Sequence, residues 1–362
     1  MGDPDPGRRG RRRRRPAGAP VRRRLVTGRV LVTGGTGFIG SAVLRALAAE
    51  GRCGRGEVRA LVRRAPAAAG TGGAAPGGPV PAGGAVPGTE YAEADLTDPR
   101  SLRGVCDGVG TVLHCASFIG SDEERCRAVN ADGTRALLAE AARAGARTVL
   151  VSTTAVYGDG PHRGLTEDER EPAPVSPTSR SRREAEREVL AGGGTVLRPP
   201  LMLGPGDVWL VPALARLLCR TPLLPDGGRA RLSLVAVDDL ARLLAVLART
   251  PGALPPGTVH HAAHPDTVTL RGLAGMLAAV LGVPEPGAGV SCDAYLALLR
   301  GTPEGERIGS RRIRLIAEDH WYRSPVWART GCPAGPGHAV RLREAAPWYR
   351  SHLAGDAVTA PA

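Results

Sequence analysis

The apolar positions of this chain fall into short runs that alternate with stretches of helical spacing. Val30–Thr33 is a β-rich run ending in a glycine turn, and Ser41–Glu50 follows with Val43, Leu44 and Leu47 on one helix face. Val58–Val62 predicts a second strand and Thr111–His114 another. Arg127–Ala144 reads as one helix through Leu137, Leu138, Ala141 and Ala142, and Thr148–Ser152 and Thr195–Arg198 are strands again. Strands alternating with helices at this rhythm predict an α/β fold, a doubly wound parallel sheet with helices on both faces.

Beyond residue 200 the pattern loosens. Val211–Leu218 and Asp239–Ala248 have helical spacing, with a Pro/Gly-rich turn and a Leu232–Val237 strand between them, and Leu270–Leu281 is a further amphipathic helix. Late, irregular segments of this kind cap the carboxyl end of a parallel sheet and shape a substrate cleft. Residues 65–89 are an Ala/Gly/Pro low-complexity stretch and predict a flexible, exposed loop. The organisation expected is a disordered arginine-rich tail over 1–24 and a sheet-forming domain over 25–200. A smaller substrate-binding region over 201–355 is interleaved with that sheet.

Composition changes this picture little. The chain contains arginine but no lysine, with 50 Gly and 32 Pro, which reads as GC-rich coding rather than as chemistry. The net charge of +13 suggests an acidic partner, yet residues 1–24 hold ten arginines and two aspartates, so most of it lies in the tail. No aromatic residue interleaves with Arg11–Arg15 to stack a base, so nucleic acid is not the expected partner. No run of 18 apolar residues exists, so no membrane span is expected. Arg22-Arg23-Arg24 imitates a twin-arginine signal, but the apolar run that follows is a strand and glycine turn rather than a signal-peptide core. The seven cysteines form no C-x-x-C pair, which predicts reduced thiols, no metal site and a cytoplasmic protein.

Gly34, Gly37 and Gly40 are spaced G-x-x-G-x-x-G between the first strand and the first helix. The first glycine allows a tight turn, the second lets backbone N–H groups approach a pyrophosphate, and the third allows helix–strand packing. A Rossmann-type NAD(P) site is therefore expected on Gly34, Thr36, Gly37, Phe38, Ile39 and Gly40. An NAD site normally ends its second strand with an acid for the ribose 2′-hydroxyl, whereas this chain reads Leu61-Val62-Arg63-Arg64. A guanidinium suits a 2′-phosphate, which favours NADP(H) over NAD(H), with Arg63 the leading contact and Arg64 second. Two solvated arginines are the alternative.

Several further motifs occur in order. They are Asp95-Leu96-Thr97-Asp98, His114-Cys115-Ala116-Ser117, Asn130-x-x-Gly133-Thr134, Arg198-Pro199-Pro200 with Gly204-Pro205-Gly206, Val237-Asp238-Asp239-Leu240-Ala241 and Trp348-Tyr349-Arg350. Over roughly residues 27–352 the chain resembles extended short-chain dehydrogenases/reductases of the NAD-dependent epimerase/dehydratase type. The resemblance implies that Asp95 faces the adenine with Leu96 beside it. It likewise puts Ala116 by the cofactor ribose and Pro199 near the nicotinamide. Val151–Gly158 resembles the segment that carries the family's catalytic Ser/Thr, which falls on Thr153.

Further on, the family reads P-x-x-x-Y-G-x-S-K-x-x-A-E. Here Pro174, Ser181, Ala185 and Glu186 hold the register, so the tyrosine position is Thr178 and the lysine position is Arg182. An aliphatic hydroxyl is a far poorer acid than a phenol of pKa about 10, and losing a positioned general acid removes about 10²–10⁴-fold of rate. Two routes survive that loss. The substrate can supply its own proton, as a phenol beside the carbonyl would. Alternatively another residue substitutes, from Tyr157, His114 and His162, although the first two read as structural and His162 as a solvated loop residue. Asp238 and Asp239 are expected to cap a helix. Arg231 faces either an acidic substrate or solvent, and Trp209, Trp321 and Trp327 line the cleft or fill the core.

The function expected is an NADP(H)-dependent oxidoreductase, a ketoreductase of a specialised metabolite, using Thr153, Thr178 and Arg182. Ketoreductases of aromatic polyketide pathways, which serve antibiotic biosynthesis, resemble this chain in lacking the tyrosine. The alternatives are a sugar-nucleotide epimerase or dehydratase and a non-catalytic NAD(P)-binding regulatory protein. The expected partners are a small-molecule substrate and, through helices 127–144 and 178–190, a second copy of the chain in a homodimer.

Overall fold

Strand β1 (Arg29–Thr33) lies inside a seven-stranded sheet, and its apolar run is what a strand covered on both faces requires. The computed structural model describes residues 28–49, 56–66 and 85–355. The arginine-rich segment 1–24, Cys53 and most of the 65–89 stretch lie outside them. After β1 come α1 (Phe38–Ala49), β2 (Val58–Val62), β3 (Thr89–Glu93) and β4 (Val109–His114). Next are α2 (Glu123–Arg127), a π turn over Ala128–Asp132, α3 (Gly133–Arg143) and β5 (Arg147–Val151). β6 (His162–Leu165), α4 (Pro177–Ala191), β7 (Thr195–Arg198) and β8 (Leu201–Leu203) complete the first half.

The second half begins with α5 (Val211–Arg220), β9 (Leu224–Pro225), β10 (Arg231–Ala236) and α6 (Val237–Arg249). It continues through β11 (Val259–His261), β12 (Thr267–Thr269), α7 (Leu270–Leu281), β13 (Gly289–Val290) and α8 (Cys292–Leu299). The last elements are α9 (Pro303–Ile308), α10 (Ser310–Ala317), β14 (His320–Tyr322), α11 (Val326–Thr330) and α12 (His338–Gly355).

The large sheet has the order β11-β7-β5-β4-β1-β2-β3, and every pair in it is parallel. Helices α1 and α6 share one apolar cluster with one face, while α3 and α4 pack against the other. The doubly wound sheet predicted from the alternation is therefore present. Its last strand, β11, and the helix beside α1 both come from beyond residue 200, so the chain returns to the sheet after leaving it. A smaller sheet of β12, β10, β14 and β6, with β8 also on β10, adjoins a second apolar cluster under α5, α7 and α12. Parallel strands place all their carboxyl ends at one edge, which is where the loops that carry the motifs emerge.

One predicted element differs. The single helix expected over 127–144 is three segments, with the π turn inserting an extra residue at Asn130. Such bulges commonly re-aim a side chain at a functional site. No helix among the described residues is long and apolar enough to cross a membrane, and the cysteines described are free thiols.

Candidate active site

The glycine loop is a cradle that side chains would fill. Gly34 has φ +68°, and a Cβ there would sit 2.9 Å from Ala116 Cα. A Cβ on Gly40 would land 2.1 Å from the Gly34 carbonyl oxygen, and one on Gly37 would lie 3.2 Å from the same atom. The Gly37 N–H donates to that carbonyl at 2.8 Å, closing the turn. Thr36 and Gly37 are exposed, while Ile39 and Gly40 are buried under them. The first-turn N–H groups of α1, at Phe38 and Ile39, have no carbonyl of their own helix to bond, and they open toward this loop. The residues present fit a dinucleotide pyrophosphate. Gly206 closes the other side, its Cα facing the Phe38 ring so tightly that a Cβ would come within 2.9 Å.

At the adenine end, Asp95 accepts from the Thr97 N–H at 2.9 Å and the Thr97 hydroxyl at 2.8 Å. Those bonds hold its carboxyl below the usual range, with the Arg63 charge adding to the effect. Arg63 and Arg64 are exposed at the end of β2. Leu96 is buried, so close to Gly133 that a Cβ there would come within 2.7 Å of the leucine Cβ.

A hydrogen-bond chain fixes the end of β4. The His114 Nε2–H donates to Thr134 Oγ1 at 2.8 Å, because the Thr134 hydroxyl already donates to the Asn130 carbonyl. Thr33 then donates to His114 Nδ1 at 2.7 Å and accepts from the Cys115 and Ala116 N–H groups, each at 3.1 Å. Burial pushes His114 down to about 4, so it is neutral and both nitrogens are committed. It holds Ala116 in place rather than donating protons.

Asn130, aimed by the π turn, accepts from the Phe118 N–H at 2.7 Å and donates to the Phe118 carbonyl at 2.9 Å. Thr178 does the same one step on, accepting from the Gly120 N–H and donating to the Gly120 carbonyl, each at 3.1 Å. Two side chains thus pin the loop between β4 and α2 through both polar groups of a residue each. Arg182, a turn after Thr178 on α4, donates to Ser117 Oγ at 3.0 Å and to the Ser152 carbonyl at 3.3 Å. Burial lowers its guanidinium to about 10, which leaves it charged at neutral pH. The buried Ser152 Oγ has no partner among the described residues, and it borders the same small cavity as Arg182, Ser117 and Asn130. Thr153 Oγ1 accepts from the Ala155 N–H at 3.1 Å.

A strand–glycine loop–helix cradle and an α4 that faces the ends of β4 and β5 together make a nucleotide-dependent site. The model of the NAD dependent epimerase/dehydratase family matches residues 30–262. The chain belongs to that family.

Ceramide reductase of Caulobacter vibrioides is 31% identical over 336 residues, which is 90% of this chain and 95% of that protein. The 4-hydroxy-2-methyl-3-oxo-4-farnesyl-3,4-dihydroquinoline-1-oxide ketoreductase of Stigmatella aurantiaca is 33% identical over 70% of this chain and 74% of its own. Among solved structures, the dTDP-glucose 4,6-dehydratase DesIV of Streptomyces venezuelae shares the fold with a TM-score of 0.66 at 23% identity, over 90% of this chain and 98% of that one. This epimerase/dehydratase-family chain is an NAD(P)-dependent oxidoreductase.

Several expectations for this family member change at the side-chain level. Thr178 is not turned to the cleft, because its proton is given to Gly120. Tyr157 is fully buried; it donates to His261 Nε2 at 2.7 Å and accepts from Arg198 at 2.8 Å, and Arg198 pairs with Glu186. His162, expected on a solvated loop, is buried in β6, with Nδ1 2.6 Å from the Tyr322 hydroxyl.

Asp238 and Asp239 do not cap α6, whose cap residue is Ala236 without a side-chain bond. Asp239 instead ties α6 to α12 through Arg341. Arg231 is exposed and lies over the Trp321 ring at 4.4 Å. Trp327 is core and bonded to the Ala263 carbonyl, whereas Trp209 is exposed.

Pro199 is buried and receives the Thr154 N–H. The motifs do not single out Asn130, Ser117 and Ser152 as site residues, although each lies in one of them. Their role depends on contacts to α4 that only the fold supplies.

Proposed function

We propose that this chain is an NADP(H)-dependent ketoreductase of a specialised metabolite, and that the substrate supplies the proton. The observation that carries this reading is the commitment of Thr178. A threonine at the family's tyrosine position that spends its proton on a backbone carbonyl leaves the site with no phenol. Tyr157 and His114 are equally engaged, so neither replaces it. A nicotinamide cofactor held by the Gly34–Gly40 loop would supply the hydride to the carbonyl carbon. Thr153 then donates a hydrogen bond to the oxygen as negative charge develops on it. Arg182 holds a positive charge beside Ser117 and Ser152, where it orients the ribose and favours the same developing charge. A phenol adjacent to the carbonyl passes its proton to the alkoxide and regains one from water. The exposed Arg63 and Arg64 at the end of β2, where an acid would favour NAD, support NADP(H). The ketoreductase name of the Stigmatella relative supports the reaction class.

The test uses NADPH deuterated at C4 with a 2′-hydroxyphenyl ketone and its methyl ether. Deuterium is expected at the carbinol carbon of the phenol, and the ether is expected to react about 10²–10⁴-fold more slowly. Equal rates would sink substrate-assisted protonation. With cofactor bound and no label transferred to these ketones or to a metabolite extract, the redox-neutral epimerase or dehydratase and the regulatory reading take its place.

A further inference from the structure

The outer edge of the seven-stranded sheet is β11, and a cavity of about 1020 Å³ runs beside it. Val259 and His260 of β11, Arg198 of β7, Leu190 of α4 and the 252–257 turn line it together. A cavity of this size accepts a metabolite, and such sites are apolar surfaces with a few placed polar groups. It is separate from the cofactor site, since no residue of the glycine loop lines it. Arg182 and Arg183 are adjacent on α4 but border different cavities, Arg182 the small one near Ser117 and Arg183 this one.

Charge is unbalanced where this cavity meets the protein interior. Two guanidinium groups share the fully buried Glu186 carboxylate. Arg198, 2% exposed, reaches its oxygens at 2.9 and 2.6 Å, and Arg183, 19% exposed, reaches Oε2 at 3.0 Å. One positive charge is left over, and the Arg183 Nε–H is buried without an acceptor among the described residues. A charge held out of water without a counter-charge is costly, so an anion in the cavity would be stabilised there. Arg170 and Arg329 line the same space. Arg170 donates to the Asp159 and Pro161 carbonyls at 2.9 and 3.5 Å, and Arg329 to His260 Nδ1 at 3.2 Å. Among the described residues neither of them pairs with a carboxylate. Three acids also line the cavity: Glu167 accepts from the His261 N–H at 2.7 Å, while Asp168 and Glu171 are exposed, and therefore at its mouth.

We propose that this cavity is a second ligand site, and that it takes a small organic carboxylate carrying hydroxyl or amino groups. Arg183 receives the carboxylate, whose single negative charge matches the one that Glu186 leaves uncompensated. A guanidinium presents planar paired donors that suit a carboxylate. Arg170 and Arg329 add positive field from other walls. The acids at the mouth accept from the hydroxyl or amino groups, and they repel a polyanion such as a polyphosphate or a nucleic acid. The site is independent of the ketoreductase reading, because it touches neither the glycine loop nor Thr153.

The experiment titrates D-gluconate, L-glutamate and inorganic phosphate into the full chain, followed by calorimetry and by the nitrogen-15 signals of the arginine Nε–H groups. Saturating NADP⁺ keeps the anions off the glycine loop. Saturable binding of gluconate or glutamate is expected, with phosphate about tenfold weaker or more. The Arg183 Nε–H signal, assigned by its loss in Arg183→Gln, should move with the same midpoint as the heat. Arg183→Gln should weaken binding by about tenfold or more, as the loss of a hydrogen bond between charged groups does. Arg329→Gln, at an exposed position, should weaken it by about two- to fivefold. NADPH affinity unchanged in both variants is the control for folding. Absence of saturable binding by both organic acids overturns the site, as does binding that leaves the Arg183 signal in place. So does an affinity that both variants keep, and so does phosphate bound as tightly as the acids.

Discussion

Gly40 and Gly275 are both helical glycines, and their surroundings give substitution opposite signs. A Cβ on Gly40 would meet the Gly34 carbonyl at 2.1 Å, and that atom is backbone inside a turn closed by the Gly37 N–H. The helix can accept alanine there only by moving off the loop, which opens the cradle. Gly40→Ala should therefore weaken NADPH binding by roughly tenfold or more, since a loss of about 1.4 kcal/mol suffices for that. Gly275, in α7, has no atom within 4 Å of its hypothetical Cβ. Gly275→Ala should raise stability by about 0.4–1 kcal/mol, because the unfolded chain loses freedom that the helix never used. Calorimetric titration with NADPH and a urea melt on both variants check the pair. Equal nucleotide affinity in wild type and Gly40→Ala would show that the loop does not bear on the cofactor.

The loop between β4 and α2 shows how two elements hold a third. Thr178 and Asn130 supply the partners that Gly120 and Phe118 would otherwise take from water, and the loop is fixed to α4 and to the π turn. Thr178→Val keeps the shape and removes the hydroxyl, stranding the Gly120 N–H and leaving its carbonyl only the Cys126 thiol. A loss of about 1–3 kcal/mol is expected, with faster amide exchange at Gly120, while Thr178→Ser should retain the protection. If both variants exchange like the wild type, the loop is held by something other than Thr178.

None of this is legible in the sequence, where Thr178 reads only as a lost acid. What is legible has a physical reason. Val58–Val62, Thr195–Arg198 and Leu270–Leu281 have the bounds that their patterns predict, because apolar burial on both faces of a strand, or one face of a helix, leaves a strong signal. β3 escapes because it is an edge strand with polar positions, TEYAE, exposed on one side. β6 and β14 escape because their sequences, HRGL and HWY, look like loop until two histidines are found buried between them. The π turn escapes because a one-residue insertion hardly disturbs helical spacing.

At the scale of the whole molecule, those histidines make stability depend on pH. Burial holds His114 and His162 at about 4, with the nearby His320 adding to the effect on His162, and it also lowers His260, His261, His320 and His338. An unfolded histidine titrates near 6.5. Between about pH 6.5 and 4 the unfolded chain therefore binds more protons than the folded one, so stability rises with pH through that window and is lost as pH falls through it. His114 and His162 alone give a slope of about 2.7 kcal/mol per pH unit, from about 1.36 for each proton.

Asp207 and Asp238 lean the other way, since burial raises both carboxyls and the folded state then takes up their protons first. Each of these two carboxyls subtracts from the histidine slope wherever it is protonated in the folded chain and ionised in the unfolded one, so the histidine contribution is read from the difference between wild type and a histidine variant. His162→Gln removes one titrating ring from a buried site, so it should lower stability at pH 7 and flatten the slope by about 1.4 kcal/mol per unit. Urea melts at half-unit steps from pH 7.5 to 4.5 measure both slopes. A slope that His162→Gln leaves unchanged would mean that this ring is hydrated and charged in the folded chain, and that burial is not what sets it.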